Sequence, residues 1–489
     1  MALSRRELLA TGAAAAAGPL TPADRDDADP AATVIRTLRG TIAPGAPDYV
    51  YVPLEVPSGV RELRIAYTYD KPPQPSGTPG NALDIGIFDQ RGTALGGRGF
   101  RGWSGGARGE FFLRADAATP GYLPGALEPG RWHLALGPYT VAPQGLSYEI
   151  TATFTHGPPG VPATPVHPPQ RVRGRGRAWY RGDCHLHSVH SDGRRTPAEL
   201  AALARGAGLD FINSSEHNTN SAHAAWGPVA GTHPDLLILT GEEVTTRTGH
   251  VLAVGTAPGT FVDWRYRARD QRFGRFAQQI RRAGGLVVPA HPHATCIGCA
   301  WKFGFGEADA VEVWNGTWTP DDEVALASWD ATLRGPGERW LPVIASSDYH
   351  RDPDRVGTPQ TVVLAEDLSR EAILAGLRAG HSYAAESSAV SVTFDAVTAR
   401  GAHAGIGDRL HAPAGAEVLV RLTVTGADGC DLRLVTDQGV AFTAPAATAL
   451  EWRTTPARTS SVRAEVRRTP QMPPLPGAPV ALTNPIWLT

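Results

Sequence analysis

Apolar and polar side chains alternate in short runs from residue 49 to residue 152. Tyr49-Val50-Tyr51-Val52-Pro53-Leu54-Glu55-Val56, Glu62-Leu63-Arg64-Ile65-Ala66-Tyr67 and Leu83-Asp84-Ile85-Gly86-Ile87-Phe88 repeat with period two. Trp132-His133-Leu134-Ala135-Leu136 and Tyr148-Glu149-Ile150-Thr151-Ala152 continue the pattern, and glycine and proline clusters separate the runs. A period of two turns one strand face to a core and the other to water. Several short strands of this kind predict a β-sandwich over residues 31–157. Residues 158–178 are rich in proline, glycine and arginine and read as a linker.

The pattern changes over residues 179–386, where short apolar runs alternate with helical spacing. Thr196-Pro197-Ala198-Glu199 is a capping box with proline at the first helical position, followed by Leu200, Leu203 and Ala207 and stopped by Gly208. Strands are expected at residues 210–214, 236–240, 250–255, 286–290, 311–314 and 342–346, and helices near 271–283, 321–333 and 369–379. Strand and helix in alternation imply an α/β unit with a parallel sheet, closed or nearly closed. Residues 387–489 return to period two, clearest at 390–397, 417–425, 431–436 and 462–467, and predict a second β-sandwich.

Composition narrows the picture. A chain of 489 residues is long enough for about three domains. With 46 basic and 48 acidic side chains the net charge is −2, which excludes the basic footprint of a nucleic-acid binder. Basic charge is almost wholly arginine, the only lysines being Lys71 and Lys302. Arg5-Arg6 followed by a brief alanine-rich run resembles a twin-arginine export signal over residues 1–30, which predicts a periplasmic or extracellular protein. No run reaches about 18 apolar residues, so no membrane-spanning helix is expected. Cys296-Ile297-Gly298-Cys299 has no second pair to complete a zinc site, and reads as a local disulfide or two buried thiols.

Ten of the sixteen histidines fall between His185 and His350, beside carboxylates at the ends of expected strands. Asp183-Cys184-His185-Leu186-His187 would put two imidazoles on one strand face. Ser191-Asp192-Gly193, Glu216-His217-Asn218, Gly241-Glu242-Glu243, Gly249-His250, Ala290-His291-Pro292-His293 and Ser347-Asp348-Tyr349-His350 follow in order. A single His-x-His is a weak signal, but with these further clusters it points to a metal site. Mixed imidazole and carboxylate donors suit zinc, manganese or iron without selecting among them.

This ordered series resembles the PHP (polymerase and histidinol phosphatase) superfamily, and within it the CehA/McbA-type metallohydrolases. The resemblance spans residues 179–386 and implies a distorted (β/α)7 barrel holding two or three divalent ions. Carried over by motif, His185, His187, Glu243 and Asp348 would hold one ion. Glu243 would bridge to a second, held by His250 and His291. Asp192, His217 and His350 would hold the third, with His190 a neighbouring substitute for Asp192 and Glu242 an alternative to Glu243. Glu216 would orient a ligand through a hydrogen bond. Neither Lys71 nor Lys302 lies at a strand end, which argues against a carboxylated lysine bridging two ions.

The expected chemistry is hydrolysis by a metal-bridging hydroxide, most directly of a phosphomonoester or phosphodiester. Hydrolysis of a carbamate, ester or amide would use the same ligands. A non-enzymatic metal- or glycan-binding exported protein is a third reading. Asn218, Arg247, His293 and Lys302 flank the clusters as substrate contacts or as solvated loop residues. Trp301 and Trp314 are pocket or packing residues, and His223, His233 and His381 are expected to be structural. The partner is a small-molecule ester, not nucleic acid; oligomeric state is open.

Overall fold

The computed structural model describes residues 32–333, 340–470 and 476–489. The export segment expected at residues 1–30 lies outside the described residues.

The first unit is a pair of four-stranded antiparallel sheets. One runs Thr33–Ile42, Leu146–His156, Val60–Tyr69, Glu110–Arg114; the other runs Val50–Val56, Gly130–Thr140, Ala82–Phe88, Phe100–Gly105. The period-two residues do what their spacing requires. Leu63, Ile65, Ile85, Ile87, Leu134 and Leu136 share one core with Trp132 and Phe154. Slipping the Leu63↔Phe154 register by one residue would turn this whole set to water. Each such side chain contributes about 1.5–3 kcal/mol on burial, so the alternation fixes the pairing.

This unit is fastened to the next. Phe88, Phe100 and Trp103 share a core with Trp264, Tyr266 and Phe276. Gly96 N–H donates to Asp263 (2.8 Å) and Arg265 donates to the carbonyl of Thr93 (2.9 Å). The expected linker is itself laid down along the second unit: Val172 N–H donates to Leu368 O (3.0 Å) and Arg370 N–H to Gln170 O (2.8 Å).

The second unit is mixed α/β, rich in strand and sparse in helix. Its sheet runs Leu286–Ala290, Gly249–Thr256, Leu237–Thr246, Phe211–Ser214, Ala178–Asp183, Gln360–Ala365, Ser382–Ala385. Only Ala178–Asp183 with Phe211–Ser214, and Phe211–Ser214 with Leu237–Thr246, are parallel. The other neighbours are antiparallel. A separate parallel pair, Val311–Asn315 with Val343–Ser346, packs beside this sheet without joining its hydrogen bonds. The all-parallel sheet expected from the alternation is therefore replaced by a mixed one, and the hydrogen bonds do not draw a regular (β/α)7 barrel. The cause is local: only Arg247 and Thr248 separate Leu237–Thr246 from Gly249–Thr256. Two residues make a hairpin and cannot carry a parallel crossover.

Five α-helices are described: α1 Pro197–Gly206, α2 Ala222–Thr232, α3 Phe273–Arg282, α4 Pro320–Leu333 and α5 Arg370–Ala379. The capping box of α1 forms as its sequence predicts, with Thr196 N–H donating to Glu199 (2.7 Å) and Glu199 N–H to Thr196 Oγ1 (3.3 Å). Helix α2 was not expected. No helix among the described residues is long and apolar enough to cross a membrane.

Beyond residue 387 two sheets again enclose a core, with Val392, Phe394, Val420 and Leu422 against Leu432, Leu434, Val462 and Ala464. One of them is continuous with the sheet of the second unit. Pro479–Thr483 pairs antiparallel with Ser382–Ala385 (Tyr383↔Thr483, Ala385↔Ala481) and carries the sheet on to Ser461–Arg467 and Asp431–Thr436.

Candidate metal centre

The strand that leads into the site stops at Asp183, before either histidine of the His-x-His pair. His185 and His187 instead sit on an extended segment zipped to the Ser346–His350 loop. His187 N–H donates to Tyr349 O (2.8 Å) and Asp348 N–H to His185 O (2.8 Å). The alternation survives: Cys184 and Leu186 enter two apolar cores, while both imidazoles are fully buried on the other side. Asp183, also fully buried, ties the loops together. It accepts from His185 N (3.2 Å), Ser347 N (3.1 Å) and Gly357 N (2.8 Å).

Glu243 is the hub. Its Oε2 lies 3.3 Å from His185 Nε2, 3.4 Å from His187 Nε2 and 2.7 Å from His217 Nδ1. Its Oε1 lies 2.8 Å from His250 Nδ1 and 3.2 Å from His291 Nε2. Asp348 Oδ1 stands 3.2 Å from His185 Nε2 and 3.1 Å from His187 Nε2. Asp192 Oδ1 stands 3.5 Å from His217 Nε2 and 3.3 Å from His350 Nε2. Three sets of donor atoms each gather within 4.8 Å: His187, Asp192, His217, His350; His185, Glu243, His291; and His185, His187, Asp348. Eight of the nine expected ligands are thus brought together in these sets. His250 falls outside them and reaches the cluster only through Glu243. The alternatives separate cleanly: Glu242 turns away to accept from Val262 N (2.9 Å), and His190 Nδ1 pairs with Ser221 Oγ (2.9 Å).

The donor set fits cations. His185 Nε2, Glu243 Oε2 and His250 Nε2 are buried with no hydrogen-bond partner. Leaving such groups unsatisfied costs about 1–3 kcal/mol each. Donor atoms only 3.2–3.4 Å apart that do not align on one another converge on the space between them. Burial would keep Glu243 protonated, but His217, His185 and His250 hold its carboxyl well below the usual range. Burial likewise acts against Asp348, and His185, His187 and His350 hold it low. Burial, then His350 and His217, pushes His187 down to about 3, so its ring is neutral with a lone pair to give.

Two carboxylates hold His185 and His187 in place. Glu216 accepts from Ser188 N (3.1 Å) and Ser191 Oγ (2.7 Å), and Ser191 Oγ in turn meets His187 Nδ1 (3.3 Å). Glu312, fully buried, was not singled out from the sequence. It lies 3.1 Å from His185 Nδ1 and accepts from His291 N (2.9 Å) and Asn315 Nδ2 (3.0 Å). Backbone strain marks the same place: Asn218, His291 and Asp348 have φ of 55°, 28° and 50°. Left-handed backbone at non-glycine residues persists only where the surroundings hold it.

A cavity of about 640 Å³ opens beside the cluster. Asp192, His217, Asn218 and Arg247 line it from the second unit, and Asp84, Arg108 and Tyr139 from the first. Of the four flanking candidates, Asn218 and Arg247 line this cavity. His293 does not, its Nε2 pairing with Ser328 Oγ on α4 (2.8 Å), and Lys302 is exposed away from it. Trp301 and Trp314 pack and cap backbone carbonyls, and His223 is a buried structural residue bonded to Gly241 O (2.8 Å). Cys296 and Cys299 form a disulfide.

No protein-family model matches the chain, and no curated protein matches it either. Among solved structures, a two-domain protein from Bacteroides vulgatus containing a predicted PHP-like metal-dependent phosphoesterase is 16% identical. It covers 66% of this chain and 100% of its own, with a TM-score of 0.37. An amidohydrolase from Chromobacterium violaceum, with bound sulfate and no metal, is 18% identical over 36% of this chain and 89% of its own, with a TM-score of 0.28. Overlaps this small assign neither an activity nor a ligand, and the functional reading stands on the residues themselves.

Proposed function

We propose that the chain is a metal-dependent hydrolase of the PHP type, close to the CehA/McbA kind, that acts on phosphate esters. The observation that carries this is the convergence of imidazole and carboxylate groups on Glu243 and Asp348, with His185 Nε2, Glu243 Oε2 and His250 Nε2 buried and without a hydrogen-bond partner. His185, His187, Glu243 and Asp348 would hold one divalent ion, Glu243 with His291 and His250 a second, and Asp192, His217 and His350 a third. Bound there, such ions lower the pKa of water and neutralise charge on an anionic oxygen.

The protein's own residues supply the rest. Arg194, Arg247, Arg351 and Arg108 line the cavity, against Asp84 and Asp192 as the acidic side chains there. Four guanidinium groups along the cavity favour an anionic substrate. This excess of positive charge is what favours a phosphate ester over a neutral carbonyl ester or carbamate. Glu216 and Glu312 keep the imidazoles oriented. Asn218, fixed by accepting from Thr245 N (2.7 Å), borders the space where the ester would sit.

Metal analysis of the natively loaded protein, followed by turnover of p-nitrophenyl phosphate and bis(p-nitrophenyl) phosphate beside aryl carbamates and acetates, tests the reading. Bound metal and phosphate-ester turnover, both lost in His187→Ala, are expected. Turnover confined to the carbonyl esters would reassign the substrate class, and absence of metal would overturn the hydrolase.

A further inference from the structure

We propose that the first sandwich completes the substrate pocket, and that Arg247, held against it, forms a second subsite that reads an acidic group on the substrate distant from the scissile ester. The inference rests on the phosphoesterase reading for the ester itself, but on separate residues for the subsite.

Arg247 occupies the two-residue turn of the hairpin, so its backbone belongs to the metal-bearing unit. Its side chain crosses to the sandwich. The guanidinium carbon stands 3.9 Å from the centre of the Tyr139 ring and 5.9 Å from that of Tyr49. Gly137 makes the room: a Cβ there would lie 3.4 Å from Arg247 Nη2 and 2.9 Å from Trp103. The side chain is only 9% exposed, and its Nη2 is buried with no hydrogen-bond partner. The nearest acid, Asp84 Oδ2, is 4.0 Å away, beyond hydrogen-bond reach.

A buried guanidinium nitrogen is costly unless something accepts from it. Here Arg247 lines the same cavity as His217 and Asn218. Packing explains the ring contacts but leaves Nη2 without an acceptor. A guanidinium stacked on the Tyr139 ring suits a flat acidic group, and a carboxylate or a second phosphate would accept from Nη2. Asp84 is the competing anion already present. Burial pushes its carboxyl up to about 6, so it is a weak rival in mildly acidic solution and a stronger one above that.

The test compares phenyl phosphate with 4-carboxyphenyl phosphate and 1,4-phenylene bisphosphate on the metal-loaded protein, as ratios of kcat/KM. Phenylphosphonate and 4-carboxyphenylphosphonate are titrated in parallel as non-hydrolysable ligands. A charge-assisted hydrogen bond predicts a preference of about tenfold to a hundredfold for an acidic compound, in rate and in affinity. Which acidic compound ranks first separates carboxylate from phosphate. Arg247→Met should collapse the ratio at unchanged metal content, while Asp84→Asn should widen it at neutral pH, a gain that a misfolded variant cannot show. Equal rates and equal affinities for acidic and plain compounds, or no phosphonate binding at all, would overturn the subsite. If no phosphate ester turns over, the phosphoesterase reading falls. The phosphonate affinities and the ratio of 4-carboxyphenyl acetate to phenyl acetate then decide the subsite alone.

Discussion

Replacing Glu312 with glutamine removes one charge and alters no shape. The carboxylate presents Oε1 to His185 Nδ1 at 3.1 Å and Oε2 to His291 N and Asn315 Nδ2 at 2.9 and 3.0 Å. All three partners are donors once His185 carries its proton on Nδ1, the tautomer that leaves Nε2 free toward Glu243 and Asp348. A glutamine has one acceptor oxygen. If that oxygen serves His185, its amide hydrogens confront the other two donors; if it serves those, His185 loses its anchor. The cheaper choice leaves one buried donor, His185 Nδ1–H, without an acceptor, so the metal-free protein should lose about 1–3 kcal/mol. The loaded site should also lose affinity, because a histidine ligand that no longer donates to a carboxylate is a weaker and less oriented base. Such changes lower metal affinity about tenfold to a hundredfold. Competition against a chromophoric chelator reads the affinity, and denaturant unfolding of the metal-free form reads the stability. A folded Glu312→Gln variant that binds metal within twofold of the parent would refute the role assigned to this carboxylate.

Asp322 caps α4, accepting from Thr319 N (2.7 Å) and Asn315 N (3.2 Å), and burial pushes its carboxyl from 3.8 up to about 6. A raised carboxyl stabilises the fold below its unfolded value and loses that contribution as pH rises through the folded one. Between pH 4 and 6 the parent should therefore lose up to about 3 kcal/mol relative to Asp322→Asn, read as a narrowing or reversal of their difference in unfolding free energy. Gly193→Ala would set a Cβ 2.2 Å from His187 O, and the loop that must shift carries both His187 and Asp192. Strain of about 1–3 kcal/mol should appear as a lowered melting temperature together with reduced metal stoichiometry; unchanged metal content would contradict it. Gly206 closes α1 with nothing within 4 Å of an added Cβ, so Gly206→Ala should stabilise the protein by about 0.5–1 kcal/mol with metal content untouched.

The grouping of these imidazoles and carboxylates was legible because such density at the ends of apolar runs has few uses other than holding a cation. His250 and Asp192 show the limit. Spacing placed both near the site, yet His250 reaches it only through Glu243 while Asp192 joins a donor set directly. His293 follows His291 by two residues, but the left-handed backbone at His291 breaks the alternation, and the second ring pairs with Ser328. Glu312 was invisible because one carboxylate in Val311-Glu312-Val313-Trp314 looks like the wet face of a strand. Its burial depends on what covers that face, which is a tertiary fact. Helix α2 has alanine, glycine and Pro228 with no clear apolar stripe, and tertiary contacts through Trp226 hold it instead. The mixed sheet did leave a trace, since Arg247-Thr248 between two apolar runs is a hairpin length. The meeting of Arg247 with Tyr139 left none, because the two come from different units.

The pairing of Pro479–Thr483 with Ser382–Ala385 has a consequence for the order in which the molecule can be made. During synthesis the strand at 382–385 emerges well before its neighbour, and until residues 479–483 arrive it stands as an open row of unpaired amides and carbonyls. Such a row recruits whatever strand comes first, including one from another nascent chain. Shortening the chain before residue 479 should therefore show itself less as a lower melting point than as loss of soluble yield that worsens with expression level.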